Sequence, residues 1–220
     1  MNERPRNYCL PGLDGDRDLS KSQWYTPPKL AERMWNWWLA PRFHHRPDMR
    51  WHVLEPSAGN GSLVRAVLGS GEVAKVHAFE VDHRNVALLQ HLIPKPGCTL
   101  EVEQGDFLLA PVVGRYHVAL MNPPYEDGQD VDFILRALAW APVAVGVFRS
   151  AIVHSDDRYQ RLWRWVDITR GRWLSDRPRF GAGGSGDAPL SDFIVLELVM
   201  RERARTDKEL EEMPVLMGWW

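Results

Sequence analysis

The sequence has few cysteines, no long apolar run and no excess of charge of either sign. Its two cysteines, Cys9 and Cys98, include no Cys-x-x-Cys pair, which argues against a disulfide scaffold or a zinc knuckle. The longest uncharged run in the apolar middle of the chain, 137–148, is too short for a membrane-spanning helix, which needs roughly 20 residues. Because the N-terminus also lacks the apolar segment of a secretory signal, we expect a soluble cytoplasmic protein with no membrane partner.

The composition is that of a folded globular protein. The chain has 220 residues, 45% of them hydrophobic, which is enough to bury a core without help from a metal or a disulfide. At roughly 150 residues per domain, this length favours one domain. The formal net charge of −2 provides no general positive field for nucleic acid, so any such partner must be bound by a local patch.

Short apolar runs alternate with helical patterns along most of the chain. After Thr26-Pro27-Pro28, apolar residues at helical spacing predict an amphipathic helix over 28–39. Alternating strands and helices predict right-handed βαβ units and a parallel sheet covered on both faces. The predicted strands are 51–55, 75–81, 99–104, 116–121, 143–148 and 193–200, and the helices between the first five lie near 61–69, 83–92 and 130–140.

The ends of the chain differ from this alternating pattern. Residues 1–22 are rich in Gly, Pro and Asp and predict a flexible arm, whereas 201–220 form a charged tail. Before the last strand, we expect a helix near 156–166 and an Arg-, Pro- and Gly-rich connection over 171–189. The folded domain is therefore predicted to span 23–200.

A glycine-rich turn follows the first predicted strand, in the segment EPSAGNGS at 55–62. Gly59 and Gly61 allow the backbone to turn tightly and to approach a ligand closely. Val64 stands where a Gly-x-Gly-x-x-Gly motif would have its last glycine, so a dinucleotide is disfavoured. The turn also lacks the Gly-Lys-Ser/Thr sequence of a P-loop.

The next two predicted strands also end in residues that suit a nucleoside ligand. Glu80 lies 19 positions after Gly61, where a carboxylate can accept hydrogen bonds from both ribose hydroxyls. Asp106 can accept a hydrogen bond from an adenine amino group, while Phe107 covers the face of the ring. Taken singly, these residues are equally compatible with a solvated acid, a turn and a core aromatic.

The fourth predicted strand ends in Asn-Pro-Pro-Tyr at 122–125, which carries the strongest chemical signal. The two prolines stiffen the turn, so that the Asn122 side chain and the Pro123 carbonyl hold fixed directions. Together they can accept both hydrogen bonds of one amino group, which exposes the nitrogen lone pair for attack. Tyr125 provides a face on which a planar, flipped-out base could stack.

The segments EPSAGNGS, FEVD, GDF and NPPY, in this order, resemble class I S-adenosylmethionine-dependent methyltransferases that act on amino groups. Short phage- and prophage-type DNA N6-adenine methyltransferases are the most similar group, and the resemblance spans residues 23–150. It implies a single Rossmann-like α/β domain with a mostly parallel seven-stranded sheet and helices on both faces. The cofactor half would cover about 23–110 and the acceptor half about 111–200, without a large target-recognition domain.

The resemblance also implies roles for particular residues. Glu55, Gly59 and Gly61 would cradle the amino-acid portion of S-adenosylmethionine, Thr26 would help to bind its carboxylate, and Tyr25 would line that pocket. The complete cofactor-binding set that it implies is Tyr25, Thr26, Glu55, Ser57, Gly59, Gly61, Glu80, Asp106, Phe107 and Asn122. The catalytic set is Asn122, Pro123, Pro124 and Tyr125, and no metal is required.

An arginine-rich stretch is the predicted contact surface for nucleic acid, most simply DNA. Seven arginines lie between Arg158 and Arg179 against two acids, although a solvated amphipathic helix explains them almost as well. The candidate contacts are Arg158, Arg161, Arg172, Arg177, Arg179 and Phe180. Because little chain remains for base readout, we expect short or relaxed sequence specificity, or a protein partner or homodimer that supplies it.

Several acceptors remain compatible with the motifs. The leading hypothesis is adenine N6 in DNA, but Asn-Pro-Pro-Tyr does not distinguish DNA from RNA. The same motif also fits cytosine N4 or the side-chain amide of a protein glutamine. A binding subunit without activity is the alternative from a different functional class, and the intact motif disfavours it.

Overall fold

The computed structural model of the protein describes residues 24–43, 45–46, 48–153, 159–174 and 192–211. The predicted arm over 1–22 lies outside the described residues. So do Arg158, Arg177, Arg179 and Phe180 among the predicted nucleic-acid contacts.

Seven strands form one mixed sheet, as expected for the class I methyltransferase fold. The strand order is β3-β2-β1-β4-β5-β7-β6. The first five strands pair in parallel, whereas β7 is antiparallel to both β5 and β6. The strand bounds are β1 Trp51–Glu55, β2 Val73–Glu80, β3 Thr99–Gln104, β4 Val118–Met121, β5 Val143–Arg149, β6 Val166–Trp173 and β7 Phe193–Met200.

Helices cover the sheet on both faces and create two cores. The helices are α1 Pro28–Phe43, α2 Ser62–Leu68, α3 His83–Gln90, α4 Gln129–Trp140 and α5 Asp207–Glu211. One core contains the buried residues of α1 and α2, and the other contains those of α4. Successive strand residues alternate between the two cores: Val53 and Val118 face the first, Leu54 and Ala119 the second. This is why the strands appear in the sequence as continuous apolar runs.

The secondary structure predicted after β5 was partly wrong. Of the helix expected near 156–166, the described residues contain a short helical turn, Tyr159–Trp163, and strand β6 begins at Val166, the last residue of that predicted helix. β6 was missed because it is the outer strand of the sheet and is polar and partly exposed along most of its length. Its assignment depends on pairing with β7, which no local pattern reveals.

Tryptophans of α1 attach this helix to the edge of the first core. Trp35 and Trp38 have ring centroids 5.3 Å apart, and Trp38 meets Trp51 of β1 edge-on at 4.9 Å. All three side chains are buried. The Arg42 guanidinium lies over the Trp38 ring, 4.6 Å from its centroid, and reaches Glu197 of β7 at 3.0 Å. The helix therefore packs through aromatic contacts and one partly buried ion pair.

The described part of the chain contains no helix with the length and hydropathy needed to cross a bilayer.

We expect Trp38→Ala to lower the free energy of unfolding by about 3–5 kcal/mol, the usual cost of truncating a buried aromatic residue. Chemical denaturation followed by fluorescence measures this change. Asn36→Ala, at an exposed position of the same helix, is the matched control and should change stability by less than about 0.5 kcal/mol. A loss as small as the control's would mean that α1 does not pack on the sheet in solution.

Candidate active site

A cleft of about 580 Å³, open to solvent, lies at the carboxyl ends of the parallel strands. Ligands of open α/β sheets bind at this edge. The turns after β1, β2, β3 and β4 all contribute to its walls. The lining residues are Trp24, Tyr25, Pro56, Ser57, Gly59, Glu80, Val81, Asn85, Gly105, Phe107, Asn122, Pro124 and Phe133.

The glycine turn after β1 has a backbone that side chains would not tolerate. Gly59 and Gly61 adopt positive φ angles of 53° and 85°. A Cβ atom on Gly59 would lie 3.0 Å from Cδ1 of Tyr25, and one on Gly61 would lie 2.8 Å from Cδ2 of Leu89. The turn therefore packs closely while it leaves backbone exposed to the cleft.

Glu80 connects the turns after β1 and β2. One carboxylate oxygen accepts a hydrogen bond from the Gly59 amide at 2.6 Å, and the other accepts from the Asp82 amide at 2.8 Å. Burial raises the pKa of Glu80, although these backbone donors act in the opposite direction. The carboxylate thus lines the cleft in a fixed orientation and is ready to accept ligand hydroxyls.

Glu55 is a buried acid behind the same turn. Its Oε1 accepts a hydrogen bond from the Ser57 amide at 3.1 Å, but its Oε2 is buried without a hydrogen-bond partner among the described residues. Burial holds the pKa of Glu55 well above its usual value, and the negative charge of Glu80 adds to this effect. Glu55 is therefore a buried acid with one unsatisfied oxygen, directly behind the glycine turn.

The turns after β2 and β3 form an apolar wall. Val81, which is 52% exposed, and the buried Phe107 both line the cleft, together with Phe133 of α4. Asp106 is exposed and accepts a hydrogen bond from the Leu108 amide at 2.9 Å, and it does not line the cleft. Phe107 and Val81 provide surfaces that suit a planar ring.

The segment preceding α1 closes the cleft from the opposite side. The Tyr25 hydroxyl donates to Oδ1 of Asn85 on α3 at 3.2 Å, and both residues line the cleft. Thr26, next in sequence, is buried. Tyr25 therefore lies at the predicted cofactor pocket and also touches Gly59 of the glycine turn.

Asn122 is held by both ends of its side-chain amide. Its nitrogen donates to the Trp24 carbonyl at 2.7 Å, and its oxygen accepts from the Tyr125 hydroxyl. Its backbone carbonyl accepts from the Ser57 hydroxyl at 3.2 Å. The side-chain amide is thus oriented by two separate parts of the chain, and a third contacts the backbone of Asn122, at the edge of the cleft.

Tyr125 occupies a different environment from the one predicted. Only 4% of this residue is exposed, and it does not line the cleft. Its hydroxyl lies between Oδ1 of Asn122 and the Val147 carbonyl, which is 3.0 Å away, and burial raises its pKa. In this arrangement Tyr125 positions Asn122 and offers no open face for stacking a base.

The two described arginines of the predicted nucleic-acid surface differ in environment. Arg161 forms an ion pair with Asp132 of α4. Arg172 is exposed on the edge strand β6. The described residues contain no group of three or more His, Cys, Asp or Glu side chains arranged to hold a metal ion.

Sequence reasoning missed several residues of the cleft. Val81 directly follows Glu80, and this adjacency was a usable signal. Trp24 directly precedes Tyr25 and Thr26, and this adjacency makes it a candidate wall of the pocket in the sequence as well. No sequence signal pointed to Asn85 or Phe133, because their places in the cleft depend on how distant elements pack.

Comparisons with known proteins agree with this geometry. The methyltransferase small domain family matches residues 39–142, just under half of the chain. No curated protein matches the sequence significantly.

Solved structures with the same fold include several methyltransferases. A proposed RNA methyltransferase from Pyrococcus horikoshii has a TM-score of 0.65 at 17% identity, with 84% of this chain and 91% of that chain covered. The magnesium protoporphyrin IX methyltransferase of Synechocystis, solved with S-adenosylmethionine bound, has a TM-score of 0.56 at 14% identity, with 88% of each chain covered. A dimethyladenosine transferase from Plasmodium falciparum has a TM-score of 0.51 at 18% identity, with 81% and 64% covered.

The family match and the fold support a class I S-adenosylmethionine-dependent methyltransferase. They also indicate S-adenosylmethionine as its cofactor. The cleft fits this molecule, because Glu80 suits its ribose hydroxyls, while Val81 and Phe107 suit its adenine.

We expect Glu80→Ala to weaken binding of S-adenosylmethionine by about 1–3 kcal/mol, because ligand hydroxyls would lose a buried acceptor. Isothermal titration calorimetry measures the affinity. Glu101→Ala on the neighbouring strand β3 removes an exposed carboxylate outside the cleft and should leave the affinity unchanged. Unchanged affinity in Glu80→Ala would place the ribose elsewhere.

We also expect the buried charge of Glu55 to make stability depend on pH. Folded Glu55 retains its proton to higher pH than the unfolded chain does. The contribution of Glu55 to the free energy of unfolding should therefore be fully present below the ordinary pKa of 4.5 and should be lost as the pH rises through the folded pKa. Glu55→Gln should reduce this decline and gain about 1–3 kcal/mol at neutral pH, measured by urea denaturation at several pH values.

The control Glu101→Gln, at an exposed position, should retain the wild-type decline with pH. If Glu55→Gln declined as steeply as the wild type, the buried charge would not be the cause.

Proposed function

We propose that this S-adenosylmethionine-dependent methyltransferase transfers a methyl group to the exocyclic N6 amino group of adenine in DNA, with short or relaxed sequence specificity. The observation that carries the proposal is the fixed amide of Asn122, the first residue of Asn-Pro-Pro-Tyr, at the edge of the cleft.

The cofactor would occupy the part of the cleft between the turns after β1, β2 and β3. Glu80 would accept hydrogen bonds from the ribose hydroxyls, and Val81 and Phe107 would flank the adenine. Tyr25, with the glycine turn, would enclose the amino-acid portion. When bound, S-adenosylmethionine supplies an electrophilic methyl group on a sulfonium.

The acceptor amine would be received by Asn122 and Pro123. The Asn122 amide oxygen has a lone pair besides the one that accepts from Tyr125, and the Pro123 carbonyl provides a second acceptor. Two hydrogen bonds from one amino group to these oxygens hold its lone pair away from them and towards the cleft. Because Trp24 and Tyr125 fix the amide at both ends, this geometry exists before the acceptor binds.

RNA adenine is the second candidate acceptor. Two proteins of similar fold, a proposed RNA methyltransferase and a dimethyladenosine transferase, favour it. Asn122 would contact the base and no sugar atom, so its geometry suits either nucleic acid.

Asn122→Ala should reduce methyl transfer at least about 100-fold, because the amine would lose an oriented acceptor. Its affinity for S-adenosylmethionine should stay close to that of the wild type. Methyl-labelled cofactor is incubated with duplex DNA, single-stranded DNA, RNA and cell protein in parallel, and mass spectrometry identifies the product. Asn36→Ala, exposed on α1, is the matched control and should retain full activity.

Label in N6-methyldeoxyadenosine that is lost in Asn122→Ala is the expected result. Label in RNA, in cytosine N4 or in a protein glutamine would mean that this group, and not adenine N6 in DNA, is the acceptor. Undiminished transfer by Asn122→Ala would show that the acceptor site lies elsewhere.

A further inference from the structure

An arginine that sequence reasoning did not select lies beside the acceptor site. Arg149 is the last residue of β5, and its guanidinium carbon lies 4.9 Å from the centroid of the Tyr125 ring. It is two residues from Val147, whose carbonyl contacts the Tyr125 hydroxyl, so both side chains project from the same face of β5. The guanidinium is thus one tyrosine side chain away from Asn122.

Arg149 forms no ion pair or hydrogen bond with the described residues. Its Nε is buried without a hydrogen-bond partner. Among the described residues, the contact of its guanidinium is with the Tyr125 ring. Burying the Nε donor of a half-buried guanidinium without a partner costs free energy, and a cation–π contact offsets only part of this desolvation cost. Asp130 of α4 is the acid whose charge also acts on the Tyr125 hydroxyl.

Several other arginines of the described chain are neutralised by ion pairs. Arg161 pairs with Asp132, and Arg170 pairs with Glu197 while its guanidinium lies over the Trp37 ring. Arg201 pairs with Asp167. Arg149 has no such ion pair among the described residues, and its charge lies beside the acceptor site.

We propose that Arg149 binds a backbone phosphate of the target nucleic acid, next to the base whose amine Asn122 receives. The planar guanidinium presents two parallel N–H donors that match two oxygens of one phosphate group. Neither a free base nor a neutral amide side chain offers such a pair of charged oxygens. The identity of that base rests on the proposed function, whereas the phosphate contact rests on Arg149 alone. The methylated base then belongs to a nucleotide within a strand. The Arg149–phosphate contact also allows a protein with a net charge of −2 to bind a polyanionic substrate.

Binding of a fluorescent single-stranded oligonucleotide tests this site without depending on catalysis. Arg149→Gln should weaken binding about tenfold, because a charge-assisted contact is lost. The slope of log affinity against log salt should decrease in magnitude by about 0.7, as expected for one phosphate contact. Arg33→Gln removes one charge from an exposed position of α1 and should change neither quantity.

Calorimetry with S-adenosylmethionine shows whether each variant is folded. Arg149→Lys keeps the charge, so it should retain the wild-type salt slope with only part of the affinity, and it serves as the test if Arg149→Gln does not fold. A merely structural role for Arg149 would lower thermal stability and leave the salt slope unchanged, and that result would overturn the proposal.

Oligonucleotides with a neutral methylphosphonate at single positions around the target adenine locate the phosphate. A methylphosphonate at one of these positions should reduce kcat/KM about tenfold for the wild type and should cause no further loss in Arg149→Gln. Equal losses in both enzymes at every position would overturn the proposal, as would tighter binding of a glutamine peptide than of the oligonucleotide. Arg149-dependent binding without methylation of DNA would uphold the phosphate site and reject the proposed acceptor.

Discussion

The parallel pairing of β1 with β2 on one side and with β4 on the other is the constraint on which the site depends. In this register Glu55 lies level with Ala78, so the turn after β1 begins beside the end of β2. The Gly59 amide therefore reaches Glu80, 21 residues away in sequence, at 2.6 Å. The same alignment brings Ser57 to the backbone carbonyl of Asn122. Cofactor and acceptor residues meet because their strands end at one edge.

Buried polar groups that lower the stability of the fold lie together at this edge of the sheet. Glu55 and Glu80 are buried acids whose pKa values are raised mainly by burial, and their charges repel each other. Asn85 keeps a buried amide nitrogen without a hydrogen-bond partner among the described residues. Such groups cost stability in the free protein and are satisfied by a ligand that carries complementary groups. The two apolar cores, with the aromatic packing of α1, stabilise the fold that holds them.

Most of the sheet could be predicted from the sequence because most of its strands are buried on both faces, whereas the edge strand β3 alternates between apolar and polar residues. The predicted bounds of β1, β3 and β7 agree with the structure, and those of β2, β4 and β5 differ by one or two residues at an end. β6 could not be predicted, since an outer strand with polar residues has no clear alternation and is defined by its partner. The order β5-β7-β6, with its antiparallel pairs, likewise depends on long-range pairing.

The sequence by itself determined the parallel α/β fold, the glycine turn and the Asn-Pro-Pro-Tyr motif, because apolar periodicity, glycine and proline act locally. Only the tertiary structure decided what surrounds these residues. The carbonyl that holds Asn122 belongs to Trp24, 98 positions earlier, and Tyr125 is buried under Arg149 instead of open to a base. Hydrogen bonds and ion pairs between distant segments depend on how the elements pack. Packing therefore decides that Arg161 has an ion-pair partner, whereas Arg149 has none among the described residues.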